Sequence, residues 1–263
     1  MKAYLSVFRM RWKMELQYRG AVVGGILCQI FFGLIYVALY RALYAGKPQA
    51  MPLSSVVTYV WLQQAFFRML LSSDEDLMDK IRTGNIAYDL CRPMQLYGFY
   101  YARIAAQKLL GSLLRAAPMV IFAVCLPEGW GIRLPASPAA LAFAVLGLAF
   151  GFLCMCAMEN LIMAFSMRTL DFRGVSAMMH LLTMLLSGNV LPLTLFPDSW
   201  QRAITALPFA QLLDAPIRLY TGERQLRDAS GALGMQALWT VLLISLGLLL
   251  WRKNQKRLIV QGG

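Results

Sequence analysis

A single histidine, His180, serves a chain of 263 residues, and it stands in no H-E-x-x-H pattern. That scarcity removes the commonest general base and the zinc-hydrolase helix, and no apolar run carries paired acids to take their place. A packed, neutral His180 is the simpler reading. No G-x-x-x-x-G-K-[ST] occurs, so there is no loop with which to cradle nucleotide phosphates. Leu186-Ser187-Gly188 superficially resembles an ATPase signature, but it ends an apolar run and lacks the continuation. Five cysteines (Cys28, Cys91, Cys125, Cys154, Cys156) lie mostly in apolar stretches without framework spacing. They read as small buried residues rather than disulfides or metal ligands.

Charge is also scarce, at 14% of residues against 59% hydrophobic, and it is unevenly spread. Residues 20–40, 134–158, 174–197 and 229–251 carry no Asp, Glu, Lys or Arg. Crossing a lipid core of about 30 Å takes about 20 helical residues, so each of these runs is long enough. None alternates with period two, and a spanning backbone must satisfy its own polar groups, so they are read as helices. Six spans are expected, at about 20–43, 53–72, 104–126, 138–165, 174–195 and 230–251, in one transmembrane domain covering 1–263. The first run follows five basic residues but is too long for a signal peptide and ends in Tyr36, Tyr40 and Tyr44, so it is read as a retained span.

The net charge of +12 would point to nucleic acid in a soluble protein. Here the bilayer explains it better, and no nucleic-acid partner is expected. With six spans, fifteen of the 25 Lys and Arg residues fall on the side of the termini, seven on the other, and Arg68, Lys108 and Arg115 inside spans. The positive-inside rule makes both termini cytoplasmic. Residues 2–18 form an amphipathic helix for the membrane surface, with Leu5, Phe8, Trp12 and Leu16 on one face and Lys2, Ser6, Arg9, Lys13 and Gln17 beside them.

Two connecting segments have internal order. After span two, Ser73 can cap a helix whose first turn holds Asp74, Glu75 and Asp76. Lys80 and Arg82 end it, Gly84 sits where a left-handed residue belongs, and a second short turn runs from Ile86 to Cys91 before Arg92-Pro93. A solvated charge run would account for the acids but not for Leu77, Ile81, Ile86, Tyr88 and Leu90. Between spans five and six, Pro192, Pro197, Pro208 and Pro216 divide apolar residues into pieces too short to cross. That pattern suits half-helices dipping into the outer leaflet, one of them capped by Asp198 or Ser199. A plain outer loop would be more polar.

Charges inside a span cost about 2.5–3.5 kcal/mol at its centre and so demand a partner or a role. Snorkelling or a Lys108–Glu159 pair is the economical account of those two residues. Arg115 lies deeper without an obvious partner, and Arg115, Glu159 and Asn160 are candidates for a dimer seam or an aqueous path. The methionines Met155, Met158, Met163, Met167, Met178, Met179 and Met184 read as gap-filling packing before an adaptable substrate surface.

The run Ile81-Arg82-Thr83-Gly84-Asn85-Ile86-Ala87-Tyr88-Asp89-Leu90-Cys91-Arg92-Pro93 resembles the cytoplasmic motif of ABC-2-type permeases. Ser187-Gly188 to Pro192, Phe196-Pro197, Leu207-Pro208-Phe209 and Pro216 resemble the outer re-entrant hairpin of the same family. The resemblance covers nearly the whole chain and is nearest to the small permeases found as two different subunits beside one ATPase. Only Cys91 departs from it, at a position expected to be apolar. It implies an all-α membrane fold with six spans, an interfacial N-terminal helix, a coupling helix and an outer hairpin, in a bacterial plasma membrane. It further implies an exporter in which two permeases, the same or related, pair in the bilayer above two ATPase copies, which would hold ATP and Mg; this chain would hold no cofactor. Asp79, Ile81, Arg82, Gly84, Asn85, Tyr88, Leu90, Arg92 and Pro93 would form the ATPase contact. Ser187, Gly188, Pro192, Pro197, Pro208, Phe209 and Pro216 would close the exit. The competing readings are an intramembrane enzyme, which lacks convergent catalytic groups, and an ion-coupled transporter, which would show matching broken spans in two halves rather than one.

Overall fold

A backbone surrounded by lipid must satisfy its own N–H and C=O groups, and the computed structural model meets that requirement with helices. It describes residues 2–17, 19–46, 51–70, 76, 79–80, 83–91, 94–169 and 172–255, among which there is no strand. The helices are α1 (Lys2–Gln17), α2 (Arg19–Tyr44), α3 (Leu53–Leu70), α4 (Ile86–Leu90), α5 (Leu96–Val124), α6 (Pro138–Thr169), α7 (Phe172–Leu186), α8 (Asp198–Ala206), α9 (Asp214–Thr221) and α10 (Ala229–Gln255). Among the described residues, four stretches, Gly20–Tyr44, Leu96–Val124, Pro138–Met167 and Leu226–Gln255, are long and apolar enough to cross a membrane. Helices α3 and α7 do not join them on length and composition.

Each of these two has a physical reason. Twelve of the 18 residues of α3 are buried, among them Thr58, Gln63 and Gln64, so it is wrapped by protein and needs less apolar surface. Helix α7 has 15 residues, which at 1.5 Å each is about 22 Å and short of the lipid core. The hydropathy of 174–195 overestimates its length because Leu191, Leu193 and Leu195 are apolar yet belong to the hairpin. The helix stops where Gly188 takes φ +76°. The other boundary that moves is that of α5, which begins at Leu96 rather than near 104. Tyr97, Tyr100 and Arg103 lower the hydropathy there, but all three are buried.

Helix α6 lies against α10, α9, α5 and α7, while α3 lies against α5, α2 and α9. Their main core contains Tyr59, Trp61, Met119, Met155 and Leu212. A second cluster at the terminal end joins Val7, Ile86, Leu96, Tyr100, Met163 and Trp251. Trp251 stacks on Tyr100 at 5.3 Å and donates its indole N–H to the Asn160 carbonyl at 3.1 Å. Lipid offers helices little hydrophobic reason to associate, so close approach at small residues matters more. Trp61 covers Gly33, Pro216 covers Gly147, and Tyr97 covers Gly247.

Helix α1 rests on α5, with Val7 buried, Tyr4 over Gly98 and Arg11 turned inward. Leu5 and Leu16 stay exposed, and Phe8 stacks on Trp12 at 5.8 Å, so the apolar face of the wheel points away from the bundle. At the opposite end, Arg41 reaches the Gly129 carbonyl at 2.9 Å and lies over the Trp130 ring, fastening the α5–α6 loop to α2.

Candidate functional site

The polar residues collect in three places: the terminal end of the bundle, its interior, and the opposite end. At the terminal end, Gly84 adopts φ +75°, a conformation a side chain would resist, and turns the chain into α4. Asn85 precedes α4 without capping it, because its side-chain amide donates to the Thr83 hydroxyl at 2.9 Å. Of the five residues of α4, Ile86 and Asp89 face inward. The Asp89 carboxylate accepts from Tyr100 at 2.7 Å and from Lys80 at 3.0 Å. The Tyr100 bond fixes α4 to the first turns of α5, the Lys80 bond ties it to the segment before Gly84, and Tyr88 (75% exposed) and Leu90 are left pointing out. Asp79 anchors the turn through its carbonyl, which takes the Thr83 N–H at 2.9 Å. Asp76 bridges Arg11 of α1 at 3.4 Å and also Arg103 of α5. Ile81, Arg82, Arg92 and Pro93, together with the proposed Ser73 cap, lie outside the described residues.

In the interior, Lys108 of α5 meets Glu159 of α6 at 2.6 Å, and its ammonium also donates to the Met69 carbonyl of α3 at 3.1 Å. Three helices are thereby tied at one buried point. Asn160 is fully buried beside Glu159, and its side-chain amide has no hydrogen-bond partner among the described residues. Arg115 lies apart from them. Its guanidinium covers Gly25 of α2 and approaches the Ala21 carbonyl at 3.5 Å, so it finds partners within the chain. His180 is half-buried with Nδ1 3.1 Å from the Ser176 hydroxyl. The methionines of α6 are buried, whereas Met178 of α7 is exposed.

At the opposite end, residues 187–221 turn inward. Leu193–Leu195 form a 3-10 turn, and α8 and α9 follow as two short helices. Asp198 opens α8 after Pro197, and no side chain caps it. Ser187, Gly188, Pro192, Pro208 and Pro216 are buried, Phe209 is partly so, and Pro197 is exposed. A methyl group on Gly151 would overlap the Leu212 carbonyl oxygen. Gly151 is thirteen residues into α6, or about 20 Å along its axis. Gln63, ten residues into α3, donates to the Gly188 carbonyl at 2.6 Å. Gln236 of α10 donates to the carbonyls of Gln211 at 2.6 Å and Gly147 at 3.0 Å. Three long helices thus hold the returning segment well below their own ends.

The residues doing this are ones sequence reasoning missed. Tyr59 donates to Asp214 at 2.7 Å, and Arg218 stands 3.6 Å from the same carboxylate. Burial raises the Asp214 pKa, with Arg218 and the Tyr59 hydrogen bond opposing it. A signal was present, since glutamines inside apolar helices and a lone acid among prolines each require a partner.

A model of the family described as "ABC-2 family transporter protein" matches residues 49–262. A search among curated proteins finds no match.

Proposed function

Because the chain belongs to the ABC-2 transporter family, we propose that it is the permease subunit of an ATP-driven exporter in a bacterial plasma membrane, with both termini cytoplasmic. The chain crosses six times: α3, wrapped by protein, and α7, whose short reach is completed by the hairpin residues that follow it, supply the crossings that composition alone does not. Two permeases, identical or related, pair in the bilayer, and two copies of a separate ATPase bind ATP and Mg beneath them.

The observation that carries this reading is the two-sidedness of α4. Ile86 and Asp89 hold it to α5, while Tyr88 and Leu90 face outward with nothing among the described residues to cover them. Asp79, Ile81, Arg82, Gly84, Asn85, Arg92 and Pro93 complete the surface that docks in the ATPase. A push on α4 passes through Asp89 to Tyr100 and so to α5, a helix of 29 residues that runs the full depth of the bundle. The Lys108–Glu159 pair and the bond to Met69 share the movement with α6 and α3. Arg115, Glu159 and Asn160 contribute to the path or to the seam between permeases. The hairpin from Ser187 to Pro216 closes the far exit, held by Gln63, Gln236 and Asp214.

Co-purification of the ATPase with the membrane-embedded chain tests the proposal. Tyr88→Ala, Asp79→Lys and Arg82→Glu should each weaken retention of the ATPase while thermal stability of the permease stays within a few degrees of the parent. Full retention in all three variants refutes the assigned contact.

A further inference from the structure

The end of the bundle opposite the termini carries a cavity of about 700 Å³, within the size range of small-molecule sites. Four arginines line it from four separate places: Arg202 on α8, Arg218 at the end of α9, Arg224 in the following loop and Arg227 just before α10. Glu223 and Asp228 also line it, so the wall keeps an excess of two positive charges. Asp228 is engaged by Arg227 at 3.9 Å, on the exposed rim. Deeper in, Arg218 spends one amino group on buried Asp214, and its Nε is buried with no hydrogen-bond partner among the described residues. Arg224 is half-buried beside it; burial and then the neighbouring Arg218 charge lower its pKa, and Asp214 and Asp228 offset part of that. Like charges are thus crowded and partly dehydrated around open space. An anion entering that space would relieve the repulsion and supply acceptors to the guanidinium groups. Ser230 and Gly231 in the first turn of α10 line the same cavity, and there the helix dipole adds to the attraction.

We propose that this cavity is a binding site for a phosphate-bearing group, with Arg202, Arg218 and Arg224 as its ligands. Guanidinium groups match phosphate oxygens in pairs, and a concave wall with an excess of one sign of charge focuses their field. The first turn of a spanning helix also lies at the level of lipid headgroups, so the phosphate can come from a lipid of that leaflet or from solution. The site stands whether or not the chain works as an exporter.

The test uses the full chain in lipid nanodiscs. In phosphatidylcholine discs, inorganic pyrophosphate is titrated calorimetrically at low salt. In discs containing phosphatidylglycerol, native mass spectrometry counts the anionic lipids retained. Arg202→Gln combined with Arg224→Gln should weaken the observed binding at least tenfold. Arg133→Gln, a basic residue of the same end outside the cavity, should leave it unchanged. Should the double variant fold poorly, Arg202→Gln alone, on the exposed rim, should still weaken binding at least threefold. Arginine-dependent pyrophosphate binding identifies a soluble phosphate ligand, and arginine-dependent lipid retention without it identifies a headgroup. The proposal fails if neither probe binds, or if the cavity variants and Arg133→Gln behave alike.

Discussion

Lys108 and Glu159 face each other at 2.6 Å in a position closed to solvent, with side-chain exposures of 0% and 3%. Such a pair is held together less by its own attraction than by the cost of separating it. Removing one partner from a buried ion pair costs about 3–5 kcal/mol, because the remaining charge stays desolvated. Lys108→Met and Glu159→Met should therefore each lower the melting temperature of the solubilised chain markedly. The double variant should recover most of the loss, since a well-packed apolar pair is close to neutral by comparison. A double variant that melts at the sum of the two single losses would show that the residues act independently.

The close contact between Gly151 and the Leu212 carbonyl leads to a second expectation. Backbone cannot yield as a flexible side chain does, so Gly151→Ala must displace either α6 or the hairpin. Overpacking of this kind costs about 1–3 kcal/mol. Gly24→Ala, at a helical glycine with nothing near its Cβ position, serves as the control and should be neutral or stabilising. Limited proteolysis of residues 187–221 gives a local readout. Faster cleavage in Gly151→Ala than in Gly24→Ala supports the buried placement of the hairpin, and equal rates contradict it.

How far the fold can be read without coordinates depends on what kind of residue carries it. Uncharged runs identify α2, α6 and α10 nearly to their ends, since length and apolarity are all that lipid requires. Gly84 and the Ile86 turn are legible because left-handed glycine and helix stops are local chemistry. Boundaries were lost where hydropathy and conformation part company. The tyrosines that begin α5 read as polar although they are buried, and the leucines after Gly188 read as span although α7 has ended. The anchors of the hairpin, Tyr59, Gln63, Asp214 and Gln236, were not found because each is meaningful only through a partner more than twenty residues away. Lys108 and Glu159 were matched because two opposite charges in neighbouring spans have few other ways to be tolerated. The partner of Arg115 is invisible in the sequence for the opposite reason: one acceptor is the main-chain carbonyl of Ala21, which no sequence pattern marks.

Orientation can be measured with the chain's own thiols. Cys91 follows α4 and Cys125 ends α5, so 29 residues of helix, about 43 Å, lie between them, and both are exposed. Two versions retaining only Cys91 or only Cys125, with the remaining cysteines replaced by alanine, should differ on intact cells. A membrane-impermeant maleimide should label Cys125 and reach Cys91 only after the cells are opened. The reverse pattern would place the basic termini outside, against the positive-inside rule, and would remove α4 from reach of any cytoplasmic ATPase.

Asp214 gives the hairpin a pH dependence whose sign can be worked out. Burial, the largest influence, raises its carboxyl above the ordinary value of 3.8, and Arg218 and Tyr59 offset part of the rise. A carboxyl with a higher pKa in the folded state binds its proton there first, so the folded form takes up protons between the unfolded and folded values. Stability contributed by this residue therefore increases as pH falls through that interval and is lost as pH rises. Asp214→Asn abolishes the titration while keeping an oxygen to accept from Tyr59. The parent should consequently gain melting temperature relative to Asp214→Asn when the pH is lowered from about 7 to about 4.5. A difference that does not move would mean Asp214 titrates as it does in the unfolded chain. Movement in the opposite direction would mean that Arg218 and Tyr59 outweigh burial and hold the carboxylate ionised, which would make the charge itself, rather than its desolvation, the fastening of the hairpin.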